Sequence, residues 1–180
     1  MDYDYVVAQT LLLGIVALIG VVFTFALPVP NHKTKASSGV FARLFLAACW
    51  LVEVFQTVRF SGYEDIGRMG FYVMSLSAAY MLMMTIVKRY GHSLNRQQIT
   101  LVLLHLVGVA LCSLLLQAGY LPQWTANTVI LLSVAFPVWQ AIRRVKYYLA
   151  TNSLGDKVLY AVLSTVFYTL LAILPIYLIF

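Results

Sequence analysis

Six apolar runs, each about the length of a membrane-crossing helix, follow one another along this chain with only short polar breaks between them. They cover roughly residues 6–27, 40–60, 69–88, 99–118, 126–145 and 157–180. A bilayer core about 30 Å thick needs about 20 residues of helix to cross it, and each run meets that length. Strands are disfavoured, because a barrel requires alternating segments of about ten residues instead of solid apolar stretches. The expected fold is therefore an all-α integral membrane protein with six transmembrane helices, a single domain over residues 1–180.

Composition removes the soluble alternative. Hydrophobic residues make up 62% of the chain and charged residues 10%, whereas soluble domains are about half apolar and about a quarter charged. No water-facing surface can be covered with so few polar groups. Turn-forming residues punctuate the runs: Pro28 and Pro30 open a polar loop ending at Ser37, Ser38 and Gly39, and Ser61, Gly62 and Gly67 bound the next connection. Gly91 to Arg96, Gly119 to Pro122 and Asn152 to Gly155 mark the remaining ones.

The charges are one-sided. Lys33, Lys35, Arg43, Lys88, Arg89, Arg96, Arg143, Arg144, Lys146 and Lys157 flank the first, third and fifth loops. The opposite side carries Arg59 and Arg68, offset by Glu64 and Asp65, with Asp2 and Asp4 at the N-terminus. In short loops, basic residues stay in the cytoplasm. Both termini are thus expected on the non-cytoplasmic side, in a bacterial inner (cytoplasmic) membrane. A net charge of +6 read this way sets topology and gives no face for nucleic acid. The acidic start, Met-Asp-Tyr-Asp-Tyr, is unlike a removable signal peptide.

The two halves, residues 1–90 and 91–180, show a faint internal repeat. Gly67, Tyr72 and Tyr80 recur at the same spacing as Gly155, Tyr160 and Tyr168, and Phe55-Gln56 before Arg59 resembles Trp139-Gln140 before Arg143. Three-helix halves would have to insert upside down relative to each other, an arrangement found in transporters with a binding site near the midplane. The two Gln-x-x-Arg segments lack the Pro-Gln pair of PQ-loop transporters, and the helix count between them differs, so that family is not assigned.

Polar residues inside the spans are the candidate site. Glu53 is the one acid within a span, and a charge there is costly enough that it is expected to face the bundle interior or a water cavity. Gln56 and Arg59 follow it on nearly the same face. His105 is the one histidine within a span; alone it gives neither a haem nor a zinc ligand set. Pro137 is expected to kink the fifth span and release a backbone carbonyl, with Gln140 three residues on. A central substrate or ion site is accordingly expected among Glu53, Gln56, Tyr80, His105, Gln140 and Tyr168.

Five of the six methionines cluster in the third span, where adaptable packing outweighs soft-metal binding. Cys49 and Cys112 read as small buried hydrophobes. No cofactor, metal or catalytic residue is expected. The leading functional expectation is a small transporter or channel for an ion or small solute. A non-catalytic sensor or subunit of a membrane complex is the alternative, with an intramembrane enzyme or a lipid- or quinone-binding protein third. Expected partners are the lipid bilayer and a second copy or another membrane protein.

Overall fold

The computed structural model describes residues 33–60, 62–92, 95–148 and 154–179. Within them lie five helices: α1 (Lys33–Phe60), α2 (Glu64–Arg89), α3 (Arg96–Gln117), α4 (Gln123–Tyr148) and α5 (Leu154–Ile179). All five are long and apolar enough to cross a membrane, and no strand occurs among the described residues. They correspond to the second through sixth apolar runs. The first run, residues 6–27, lies outside the described residues.

Local chemistry explains where the helices begin and end. Glu64 and Asp65 open α2, while Lys88 and Arg89 close it, matching charge to the helix dipole at both ends. After α2, the Gly91 N–H donates to the Lys88 carbonyl and the His92 N–H to the Val87 carbonyl, with Gly91 at φ +75°. The same pattern ends α3, where the Gly119 and Tyr120 N–H groups reach Leu116 and Leu115 and Gly119 has φ +76°. Both are left-handed glycine stops that satisfy the last carbonyls. Asn95 and Gln98 cap the start of α3 reciprocally: each side chain accepts from the other residue's backbone N–H.

One boundary departs from the sequence-based expectation. The loop expected to run from Pro28 to Gly39 is helical from Lys33 onward, so α1 begins several residues before its apolar stretch. Lys33, Lys35 and Ala36 favour helix well enough to extend an established one beyond the bilayer.

α2 is the central helix. Half of its apolar stretch is buried, against 11% in α1 and in α5, and it packs on α1, α3 and α4, while α5 lies on α4. The core joins Tyr72, Leu76 and Ile86 of α2 to Val109 of α3 and to Ile130 and Val145 of α4. The outward faces are also apolar, as Leu103, Leu104, Val107 and Leu111 of α3 show. In lipid, that outer surface carries no penalty.

The tightest interface is α1 on α2. A Cβ on Gly67 would lie 2.2 Å from the Arg59 backbone nitrogen, and one on Gly70 would lie 2.0 Å from the Phe55 ring. Small residues at a helix contact let backbones approach where lipid offers no hydrophobic drive. Polar ties hold the ends. Arg68 donates to Gln123 at 3.0 Å and pairs with Glu64, and Gln117 donates to the Asp65 carbonyl at 2.8 Å. At the other end Arg89 and Tyr90 both bond the buried Asp156, at 3.0 and 2.9 Å. These ties join the starts of α2 and α4 to the end of α3, and the end of α2 to the start of α5, so neighbours in sequence run antiparallel. α2 packs on α4, and α1 makes no comparable interface with α5. A twofold exchange of halves would pair those two contacts.

Candidate functional site

Three helix faces converge on one side of the bundle. α2 contributes Tyr80, Met83 and Val87; α3 contributes Gln98, Leu101, Val102 and His105; α4 contributes Ser133, Phe136, Gln140 and Arg144. Each set follows the three-, four- and seven-residue spacing of a single helix face. α3 and α4 touch each other sparingly, and the space between them is a groove.

The groove has three continuous parts. Its middle is a cavity of about 190 Å³ lined by Tyr80, Met83, Gln98, Phe136, Gln140 and Arg144 among others. Further along α3 and α4, away from the basic end, a wider and more open depression adds His105, Leu104, Leu132 and Ser133, sharing Tyr80, Leu101 and Phe136 with the middle. Toward the basic end it passes Gln140 and Arg144 into a mouth lined also by His92, Arg143 and Tyr147.

The inner end is organised by one hydrogen bond. The Tyr80 hydroxyl lies 2.6 Å from His105 Nδ1. The His105 ring meets Tyr80 and Phe136 edge to face, with centroids 5.7 and 6.2 Å apart. Two tautomers satisfy the bond. If Tyr80 donates, the imidazole carries its proton on Nε2; if Nδ1–H donates, the phenol keeps its own. Either way the pair has one N–H or O–H beyond the shared bond, able to meet a carbonyl oxygen.

Pro137 adds an acceptor nearby. It is fully buried inside α4 and has no N–H, so the helix bond expected to reach the Ser133 carbonyl cannot form. Ser133 itself lines the inner depression.

The sequence-derived candidates divide into two groups. Tyr80, His105 and Gln140 come together at the groove, while Pro137 is buried within α4 beside Phe136 and lines no part of it. Glu53 is exposed on α1. Gln56 is half-buried on the same helix, its Oε1 buried without a partner. Tyr168 is exposed on α5. None of these three lines the groove. The hydrogen-bond partner of His105 is Tyr80 of α2.

Phe136, Ser133 and Arg144 are groove residues that single-residue reasoning passed over. Their signal was the spacing Ser133, Phe136, Gln140, Arg144, Tyr147 along α4, one continuous face. Among the described residues, no cluster of three His, Cys, Asp or Glu side chains is placed to hold a metal ion. Comparison with known proteins finds no matching family model, no similar curated protein and no similar solved structure.

Proposed function

We propose that this chain is a membrane-embedded binding protein whose ligand is a lipid-soluble molecule with a single carbonyl- or hydroxyl-bearing ring, the chemistry of a quinone. The observation that carries the reading is the Tyr80–His105 pair, 2.6 Å apart, lining a groove between apolar helices. The neighbouring cavity of about 190 Å³ suits one substituted ring, since a cavity of about 150 Å³ takes benzene. Aromatic edges, a thioether and few polar groups are the lining that such ligands use. The Tyr80–His105 pair supplies a donor for a carbonyl, and the Ser133 carbonyl an acceptor for a hydroxyl.

The test is direct. A short-chain quinone titrated into purified protein in nanodiscs is expected to quench intrinsic tryptophan fluorescence saturably. His105→Phe, which keeps the ring and loses the hydrogen bond, is expected to weaken binding about three- to tenfold. Unsaturable quenching, equal in wild type and variant, rejects the proposal.

Transport of a small solute is the second reading, favoured by Pro137 inside α4, the helix that contributes Ser133, Phe136, Gln140 and Arg144 to the groove. A kinked helix beside a polar pair is a common element of solute pathways. In proteoliposomes it predicts flux sensitive to His105→Phe. Dependence on Glu53→Gln instead would move the pathway to α1. Both readings take residues 6–27 as a further span and the basic ends of the helices as cytoplasmic.

A further inference from the structure

We propose that the basic mouth of the groove binds the phosphodiester headgroup of an anionic phospholipid. The headgroup site rests on the mouth and not on the quinone reading, while the acyl chain takes the groove beyond it, where it would compete with a ring ligand at the Tyr80–His105 end.

The mouth is a hollow of about 530 Å³ lined by His92, Gln140, Arg143, Arg144 and Tyr147, with no carboxylate among them. Basic residues near loops are ordinary topology signals. A concave arrangement of two arginines with an amide, an imidazole and a phenol goes further, because those groups converge on one volume. Arg143 is steadied by its guanidinium lying 4.9 Å over the Trp139 ring, a cation–π contact at the depth where tryptophans line bilayer interfaces. Arg144 is half-buried and borders both the mouth and the middle cavity. Planar guanidinium groups bind phosphate through paired N–H donors. Among the described residues, the acid at this end is Asp156, which is bonded to Arg89 and Tyr90.

The shape selects a lipid over a free phosphate. From Arg144 the groove continues past Gln140 to Phe136, about 12 Å along α4 at about 1.5 Å per residue. That run becomes increasingly apolar, with Leu101, Leu104 and Leu132 along the open part. An acyl chain attached to the phosphate is buried there, whereas inorganic phosphate leaves it empty. Basic pockets between membrane helices are suited to such headgroups.

The experiment is native mass spectrometry of delipidated protein in neutral detergent, titrated with phosphatidylglycerol or phosphatidylcholine of the same acyl composition. Phosphatidylglycerol is expected to bind about tenfold more tightly than phosphatidylcholine. The double variant Arg143→Gln/Arg144→Gln is expected to erase that preference. Lys146→Gln removes a charge that is exposed and outside the hollow, and is expected to retain the preference. Excess inorganic phosphate or glycerol phosphate is expected not to displace the lipid. Equal affinity for the two lipids in the wild type overturns the proposal without reference to any variant. Displacement by either free phosphate compound overturns it in favour of a soluble ligand. An equal loss in Lys146→Gln reduces it to general surface charge.

Discussion

The Tyr80 hydroxyl offers the sharpest residue-level test, because Tyr80→Phe deletes one oxygen and leaves the packing intact. Tyr80 is buried in the α2 core, and its bond to His105 joins α2 to α3. Hydrogen bonds between membrane helices contribute about 0.6 kcal/mol on average, because the separated helices find other partners. Tyr80→Phe is therefore expected to leave thermal stability within about 1 kcal/mol of wild type. Ring-ligand affinity is expected to fall about three- to tenfold, since His105 loses the hydrogen bond that orients its ring. Denaturant titration beside fluorescence binding separates the two effects, and a large stability loss with unchanged affinity makes the pair structural. Tyr80, His105 and Gln140 were legible in the sequence as polar groups in apolar runs. The outward placement of Glu53 was not. In water burial follows the polar face, but in lipid that pattern does not decide rotation, and α1 presents Phe55 and Arg59 to the close contact at Gly70 and Gly67 of α2.

At the scale of elements, those glycines are where the fold is most specified. At Gly67 the obstructing atoms belong to the Arg59 backbone, which cannot move aside without displacing α1. Gly67→Ala is accordingly expected to destabilise by about 1–3 kcal/mol, the usual range for overpacking. At Gly70 the obstacle is the Phe55 ring, so Phe55→Ala is expected to recover part of the loss in Gly70→Ala and none of that in Gly67→Ala. Gly108 is the internal control. It lies in α3 with open space around its Cα, and Gly108→Ala is expected to be neutral or stabilising by up to about 1 kcal/mol. Unfolding in mixed micelles ranks the variants; a Gly67→Ala protein as stable as Gly108→Ala refutes the tight-contact account. Helix positions were legible because run length and glycine stops mark them at Gly91 and Gly119. The early start of α1 was not, since Lys33 to Gly39 reads as loop by polarity and extends as helix by propensity.

For the whole molecule, the polar ties alternate between two ends, and one of those ends holds most of the positive charge. Arg89, Arg143 and Arg144 lie with the groove mouth, while Glu64, Asp65 and Tyr120 lie at the far end. By the positive-inside rule we propose that the mouth faces the cytoplasm and the α3–α4 turn the other side. Two exposed turn positions test this in a background carrying Cys49→Ala and Cys112→Ala. Tyr120 is 79% exposed in the α3–α4 turn, and His92 is exposed after α2. A membrane-impermeant maleimide is expected to label Tyr120→Cys in intact cells and His92→Cys only after permeabilisation. The outcome bears on the lipid site as well as the topology. The cytoplasmic leaflet carries the negative surface potential that concentrates anionic headgroups beside basic segments. Labelling in the opposite order would turn the mouth toward the leaflet that lacks it. The two arginines would then have to draw their phosphate ligand from the other side of the membrane, so the lipid preference would need to be measured again in that leaflet's composition.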